Sequence, residues 1–218
     1  MSLGIRKRIS QTLPFAVRGY KAAQSRIKLA RSRRWIASLL RQGNPILLEV
    51  GSGGKHGTNG WVTVDMTDGC DLYWDLRLGI PFPSGSISKI YSSHFLEHLS
   101  YAEGQKFLGE CRRVLTPSGS LLVCVPNARY YLEAYVNGTT LDPGIWCTYK
   151  PAFNCTTAID YVNYTAYMDG HHKYMFDPEN LLHRLTSAGL RDARLRPFDP
   201  ALDLIDRDFE SIYAEAEK

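Results

Sequence analysis

The chain has 218 residues, of which 44% are apolar and 22% charged, and its formal net charge is +4. That length buries a full core within one domain, and the composition is ordinary for a globular protein without repeats or low-complexity tracts. No apolar run reaches the roughly 18 residues of a membrane span, and no secretory leader is evident, so we expect a cytoplasmic protein. Five scattered cysteines without a C-x-x-C motif predict reduced thiols.

The positive charge is concentrated in residues 1–44, which hold eleven Lys or Arg and no Asp or Glu. Good helix formers fill residues 20–42. A narrow apolar stripe follows one face of the predicted helix: Leu29, Trp35, Ile36, Leu39 and Leu40. We therefore predict a basic helical segment over 1–44 and a separate domain over 45–218. The basic side chains either lie in water on a helix packed against the domain, or bind a nucleic acid or an anionic membrane.

Short apolar runs alternate with helical patterns after residue 45. The predicted strands are 46–50, 61–66, 71–76, 88–93, 120–125, 190–198 and 211–218. One helix begins at the capping box Ser100–Glu103 and breaks at Thr116–Gly119; another begins at Asp177-Pro178 and ends at Gly189. Apolar spacing predicts the buried face of each helix: Phe107, Leu108, Cys111, Val114 and Leu115 in the first helix, and Leu181, Leu182 and Leu185 in the second. Strands that alternate with helices predict an α/β fold with a parallel sheet.

Residues 127–176 interrupt this alternation. They have no sustained period but carry many aromatic side chains: Tyr130, Tyr131, Tyr135, Trp146, Tyr149, Phe153, Tyr161, Tyr164, Tyr167 and Tyr174. The segment is too long for a simple connection, so we expect an insertion with a role of its own. It forms either a lid and acceptor pocket with stacking surfaces, or a small packed subdomain.

A glycine-rich turn follows the first predicted strand in ILLEVGSGGKHGTNGWVTVDM, residues 46–66. Small residues at the carboxyl end of a buried strand let a ligand approach the backbone closely. Asp65 ends the next strand, where its carboxylate flanks the same crevice and can accept both hydroxyls of a ribose. The dinucleotide pattern G-x-G-x-x-G fails because its last position is His56. The stretch therefore predicts a nucleoside cofactor other than a dinucleotide.

The segment LLEVGSG resembles motif I of class I S-adenosylmethionine-dependent methyltransferases. The resemblance continues through Asp65, through Asp75-Leu76 and IPFPSGSISKIYSSHFLEHL, through CRRVLTPSGSLLVCVPN, and through HHKYMFDPENLLHRLTSAGL. The resemblance covers most of residues 45–217, and within this family the sequence is similar to the type-11-like branch. It implies a Rossmann-like, seven-stranded, mostly parallel sheet with flanking helices and an antiparallel last strand.

The resemblance also implies the ligand and its contacts. The cofactor is S-adenosyl-L-methionine, and the cofactor-binding residues are Glu49, Gly51, Ser52, Gly53, Lys55, Asp65, Met66, Asp75, Leu76, Ser93 and His94. The expected acceptor is a small molecule, such as a sugar or a lipid precursor, methylated on oxygen or nitrogen. Two alternatives stay open: a non-catalytic nucleoside-binding module, and an enzyme that uses the basic segment on a nucleic acid or membrane.

The turn departs from the family pattern in two ways. Lys55 stands where a third glycine is usual, and only residues 55–60 separate Gly54 from the second strand. No helix fits there, although its N-terminus ordinarily helps to hold the methionine carboxylate. We hypothesise that Lys55, His56 or an arginine of the N-terminal helix replaces this contact.

The pentapeptide HFLEH follows the fourth strand and contains the H-x-x-E-H pattern of some zinc proteases. His94, Glu97 and His98 share one face of a helix, but a zinc site needs a further ligand that no surrounding motif predicts. We therefore expect no metal. Histidine titrates near neutral pH, so His94, His98 and His172 are the predicted catalytic proton acceptors, with His171 also considered.

Overall fold

A computed structural model of the protein describes residues 3–146 and 156–218. Seven strands form one sheet in the order β3-β2-β1-β4-β5-β7-β6. Their bounds are β1 Leu47–Val50, β2 Trp61–Asp65, β3 Leu72–Tyr73, β4 Ile87–Ser93, β5 Leu115–Pro126, β6 Arg191–Leu195 and β7 Ser211–Glu217. The pairs from β3 to β5 are parallel, whereas β7 runs antiparallel to both β5 and β6. The predicted α/β sheet with an antiparallel last strand is confirmed.

The centre of the sheet is buried on both sides, and this positions the site. Leu48 and Val50 of β1 are fully buried, as expected for a parallel strand covered by helices. Val50 pairs in register with Val64 of β2 and Ser92 of β4. The residues that follow these three strands therefore meet at one edge of the sheet.

Within the described residues, six α-helices accompany the sheet: α1 Leu3–Gln42, α2 Tyr101–Val114, α3 Ala128–Val136, α4 Pro143–Trp146, α5 Ala158–Tyr167 and α6 Pro178–Ser187. The capping box at Ser100 begins α2 as predicted, and Asp177 caps α6 with Pro178 at its first position. The predicted inward-facing residues of both helices are buried, except Leu182, which is only partly so.

Helix α1 covers the outer edge of the sheet. The backbone N–H of Tyr73 in β3 donates to Ser32 Oγ at 2.9 Å. The helix therefore covers the outer edge of β3, which no other described strand pairs with. Ile36 is buried, but Leu40 remains 36% exposed, which corrects its predicted place on the packed face. Leu40 is left exposed because the contacts of α1 with β3 come from earlier turns of the helix, at Lys28 and Ser32. The division into a basic segment over 1–44 and a domain over 45–218 remains a prediction.

The aromatic insertion contains helices that its sequence does not predict. In the described part, α3 and α5 pack together around a second small core: Tyr131, Ala134, Leu141, Tyr161 and Tyr164. Periodic tyrosine and alanine conceal the helical pattern that aliphatic residues would reveal. The capping box of Thr157 and Asp160 is the readable indication of α5. Tyr149 and Phe153 fall outside the described residues.

Two further expectations from composition concern membrane spans and free thiols. Within residues 3–146 and 156–218, no helix combines the length and apolar character needed to cross a membrane. Cys70, Cys111 and Cys124 are free thiols, while Cys147 and Cys155 fall outside the described residues.

Candidate active site

Two adjoining clefts lie where β1, β2 and β4 end. The first, which we call the glycine-loop cleft, has a volume of about 410 Å³. The second, the Asp75 cleft, has about 200 Å³, and Asp65, Phe95 and His98 line both. Eight predicted cofactor-binding residues line the first cleft: Glu49, Gly51, Ser52, Gly53, Lys55, Asp65, Ser93 and His94. The other three line the second: Met66, Asp75 and Leu76.

The turn after β1 requires glycine at its first position. Gly51 has φ +68°, a conformation that side chains disfavour, and its N–H donates to Val64 O at 3.0 Å. A Cβ built on Gly51 would lie 2.3 Å from Cγ of Phe95. Phe95 therefore packs directly against the turn, and the backbone there can approach a ligand only because no side chain intervenes.

Asp65 holds the glycine turn in place. Its Oδ2 accepts from the N–H of Gly53 at 3.0 Å, and its Oδ1 accepts from the N–H and Oγ1 of Thr67 at 2.9 and 2.7 Å. The carboxylate still lines both clefts. It is thus placed to orient the turn and to face a ligand that spans the two.

The loop from 51 to 60 contains no helix, as its length predicts. Lys55 Nζ lies 2.6 Å from Glu49 Oε1, so an ammonium group stands beside the acidic residue of β1. His56 instead contacts Asp71 at 3.1 Å and lines a separate cleft next to α1. Among the described residues that line the two ligand clefts there is no arginine of α1. Of the three predicted substitutes for the missing helix, only Lys55 is in position.

We expect Lys55→Ala to weaken S-adenosylmethionine binding by roughly 10–100-fold, because a hydrogen bond to a charged group contributes about 1.5–3 kcal/mol. Isothermal titration calorimetry measures this effect. The matched control is Lys89→Ala, since Lys89 lies at the amino-terminal half of β4, away from both clefts. Unchanged affinity in Lys55→Ala would exclude Lys55 as the substitute.

Asp75 is already engaged by its neighbour. Its carboxylate caps the short 3-10 helix Leu76–Leu78 and accepts from Arg77 Nε at 2.9 Å and from Nη2 at 2.8 Å. This guanidinium holds the pKa of Asp75 below its usual range. Asp75 therefore stays ionised at the rim of its cleft, with Arg77 as its partner.

Two of the three predicted catalytic histidines reach the glycine-loop cleft. His94 has φ +49°, and its N–H extends the sheet by donating to Cys124 O at 2.8 Å. His98 lines both clefts. His172 is buried behind His98, with the two ring centroids 5.0 Å apart, and lines neither cleft. Burial lowers the pKa of His172, which keeps its imidazole neutral. His171 is exposed.

Glu97 lies between these histidines and is only 2% exposed. Its Oε1 is 3.4 Å from His94 Nδ1 and 4.0 Å from His98 Nε2. Burial alone would raise the pKa of Glu97, but the adjacent His94 and His98 hold it below the ordinary value. A buried carboxylate thus stays ionised beneath the cleft wall.

Sequence reasoning missed several residues that line the clefts: Tyr91, Phe95, Leu202, Leu204 and Arg207 in the first, and Trp74, Arg77, Leu99 and Lys173 in the second. Because Phe95 directly follows His94, its position near the cleft could have been predicted from the end of β4. Leu202, Leu204 and Arg207 come from the connection between β6 and β7, which carries no motif. No aromatic side chain of 127–146 or 156–176 lines either cleft, so the described part of the insertion favours the packed-subdomain alternative.

Residues 75–123 match the model of a methyltransferase domain family, type 11. A search of curated proteins found no match. The fold is similar to a SAM-dependent methyltransferase from Archaeoglobus fulgidus, with TM-score 0.50 and 18% identity over 89% of this chain and 94% of that one.

Two further solved structures are similar at lower TM-scores. One is phosphoethanolamine N-methyltransferase 2 of Haemonchus contortus in complex with S-adenosyl-L-methionine, with TM-score 0.49 and 11% identity over 85% of this chain and 52% of that one. The other is a SAM-dependent methyltransferase of Aquifex aeolicus, with TM-score 0.47 and 15% identity over 88% and 92%. The family match over residues 75–123, on a sheet with this strand order, supports a class I S-adenosylmethionine-dependent methyltransferase of the type-11 kind.

Proposed function

We propose that this methyltransferase acts on an oxygen or nitrogen of a small-molecule acceptor, of sugar or lipid-precursor type, bound beside the donor in the glycine-loop cleft. One observation carries the proposal. The same cleft of about 410 Å³ is lined by the glycine turn and Asp65, by His94 and His98, and by Leu202, Leu204 and Arg207. The groups that bind the donor and the groups that bind the acceptor therefore line the same cleft.

The donor is assigned to both clefts. Asp65 accepts hydrogen bonds from the ribose hydroxyls of the donor, and Glu49 and Lys55 hold its methionine end. Gly51, Ser52 and Gly53 offer backbone at close range, and Ser93 and His94 flank the donor at the end of β4. Met66, Asp75 and Leu76 contact the adenine end. This assignment is supported by the eleven residues lining one continuous pair of clefts.

The chemistry required of the protein is modest. A methyl group on a sulfonium is already activated, so the enzyme aligns the acceptor in line and excludes water. An acceptor O–H or N–H also loses a proton, and His94 is the leading acceptor for it because its ring lines the cleft. His98 lines the same cleft and is the second candidate.

A large anionic substrate has less support. The basic side chains lie on α1, which packs against β3 at the edge of the sheet. None of the described α1 residues lines either ligand cleft. A nucleic acid or membrane held by α1 would therefore lie to one side of the clefts.

The donor assignment is tested by calorimetric titration of S-adenosylmethionine and S-adenosylhomocysteine, with NAD as the negative ligand. We expect Asp65→Ala to weaken both sulfur nucleosides by roughly 10–100-fold, because hydrogen bonds to a charged group are lost. Asp68→Ala is the matched control, since Asp68 lies on the neighbouring loop and outside both clefts. Equal affinity in the two variants would contradict the donor assignment. Thermal unfolding of the unliganded variants separates lost contacts from lost structure.

The acceptor assignment is tested by S-adenosylhomocysteine release with panels of sugars, lipid precursors and nucleic acids. Turnover with a small molecule, reduced by His94→Ala, supports the proposal. Turnover confined to nucleic acid, or donor binding without turnover on any small molecule, contradicts it.

A further inference from the structure

Four side chains gather at the wall of the glycine-loop cleft, with His94 and His98 lining it and Glu97 and His172 buried behind, and we call them the histidine–glutamate cluster. One ligand atom each from Glu97, His98 and His172 lies within 4.8 Å of the others. Small side-chain movements close that spread around an ion whose bonds to nitrogen and oxygen are about 2.0–2.2 Å. His172 comes from the end of the aromatic insertion, so it is the further ligand that the H-x-x-E-H pattern lacks.

His98 and His172 keep the same nitrogen available to a ligand. The Nδ1 of His98 donates to His171 O at 2.9 Å, and the Nδ1 of His172 donates to Thr165 O at 2.8 Å. A carbonyl oxygen can only accept, so both Nδ1 atoms carry the proton and both Nε2 atoms keep a lone pair. Metal-binding histidines show this arrangement, in which a backbone carbonyl sets the tautomer and aims the ring.

The carboxylate between them lacks a partner that its burial demands. Glu97 is 2% exposed, and among the described residues neither of its oxygens has a hydrogen-bond partner. Buried polar atoms are almost always hydrogen-bonded, and a buried charge without compensation is costly. A cation at the centre of the cluster satisfies Glu97 and both imidazole lone pairs at once.

His94 adds a fourth lone pair on the same side. Its Nε2 is 3.0 Å from Ser211 Oγ, and that hydroxyl donates to Arg207 O at 2.6 Å. Ser211 therefore accepts from His94 Nε2–H, which leaves Nδ1 of neutral His94 unprotonated. This Nδ1 faces Glu97 Oε1 at 3.4 Å and, within the described part of the chain, has no hydrogen-bond partner.

Backbone contacts assemble the cluster without a ligand. Lys173 N–H donates to Glu97 O at 2.8 Å, and His172 N–H donates to Tyr167 O at 3.0 Å. The first bond joins the short 3-10 helix Leu96–His98 to the segment that carries His172, and the second holds that segment to the end of α5. The donor set is therefore preorganised, as a metal site requires.

We propose that His98 Nε2, His172 Nε2 and a carboxylate oxygen of Glu97 bind one first-row divalent cation, Zn²⁺ foremost, with the fourth position beside His94 Nδ1. Two imidazoles and one carboxylate suit zinc and its neighbours, whereas Mg²⁺ prefers oxygen ligands. The inference replaces the expectation of no metal. It makes His98 a ligand rather than a proton acceptor, and it leaves His94 as the other cleft-lining histidine. It does not rest on the acceptor class proposed above.

The test is direct metal binding to the full chain after chelation and desalting. We expect one equivalent of Zn²⁺ by calorimetry and mass-spectrometric metal analysis, no comparable binding of Mg²⁺, and a visible absorption spectrum of bound Co²⁺. His98→Ala and His172→Ala should each weaken Zn²⁺ by at least about 100-fold. His171→Ala is the matched control, because its exposed side chain is adjacent in sequence and only its backbone carbonyl contacts the cluster.

A second variant guards against misfolding at a buried site. Glu97→Gln keeps the shape of the side chain and should fold, yet lose the rise in unfolding temperature that Zn²⁺ produces in the wild-type chain. Retained binding in His98→Ala and His172→Ala would overturn the proposal, as would an equal loss in His171→Ala. Absence of stoichiometric Zn²⁺ would also overturn it, leaving Glu97 paired with a protonated His94 instead.

Discussion

Replacing Asp203 with alanine is expected to lower the free energy of unfolding by about 3–5 kcal/mol, because it breaks a buried ion pair and leaves the partner charge uncompensated. The Asp203 side chain is 0% exposed and that of Arg196 is 6% exposed. The guanidinium binds the carboxylate through two nitrogens, Nη1 at 2.6 Å and Nη2 at 2.8 Å. The same carboxylate accepts from Tyr91 Oη at 3.0 Å and from Asp199 N–H at 2.8 Å.

Urea denaturation of the wild-type chain and the variant measures this loss. Asp206→Ala is the matched control, since Asp206 is exposed in the same connection between β6 and β7, and we expect a change within about 0.5 kcal/mol. The double variant Arg196→Met/Asp203→Leu should be more stable than Asp203→Ala, because it leaves no unpaired charge. If Asp203→Ala and Asp206→Ala unfold at the same denaturant concentration, the ion pair does not hold this connection.

The effect should also reach the site. Asp203 stands between Leu202 and Leu204, which line the glycine-loop cleft, and it bonds Tyr91, which lines the cleft from β4. The buried pair therefore ties the part of the cleft wall formed by Leu202 and Leu204, which we propose faces the acceptor, to the sheet. We expect Asp203→Ala to affect acceptor affinity more than donor affinity.

Gly51→Ala is expected to lower the free energy of unfolding by about 2–5 kcal/mol. A left-handed backbone costs a residue with a side chain about 1–2 kcal/mol, and overpacking adds about 1–3 kcal/mol. The added Cβ would lie 2.3 Å from the Phe95 ring, which is held in turn by an edge-on contact with Phe107 at 5.2 Å. The ring has little freedom to withdraw.

Gly53→Ala separates the two contributions. Gly53 also has a positive φ, +64°, but nothing lies within 4 Å of a Cβ built there. We expect only the conformational cost of about 1–2 kcal/mol in this variant. Denaturation curves of both variants and of Gly51→Ala/Phe95→Ala check the argument. Equal losses in the two single variants, or strict additivity in the double variant, would show that Phe95 does not press on the turn.

The contacts that assemble the histidine–glutamate cluster explain why the H-x-x-E-H pattern was ambiguous in the sequence. H-x-x-E-H places three side chains near one another, but a metal site is decided by the fourth group and by what each second nitrogen contacts. Both depend on His172 and on the carbonyls of Thr165 and His171, which come from a distant segment. No spacing rule applied to residues 94–98 includes them.

The sequence by itself determined the sheet and the position of the ligand clefts. Strand β1, the glycine turn and Asp65 are short-range features whose periodicity and backbone demands are written in adjacent residues. The capping box of α2 and the Asp177 N-cap of α6 are equally local, and both are found where predicted. Parallel strands place their carboxyl ends together, so local features sufficed to bring the predicted cofactor residues to one edge.

Only the tertiary structure decided which other groups meet at that edge. His172, Phe95 and Arg207 reach the site through packing and backbone hydrogen bonds between segments far apart in the chain. In the described part of the aromatic insertion, Tyr131, Tyr161 and Tyr164 turn inward for the same reason, because they bury apolar area against one another. Such contacts depend on the summed free energy of the whole fold, whereas motifs and caps depend on a few neighbouring residues.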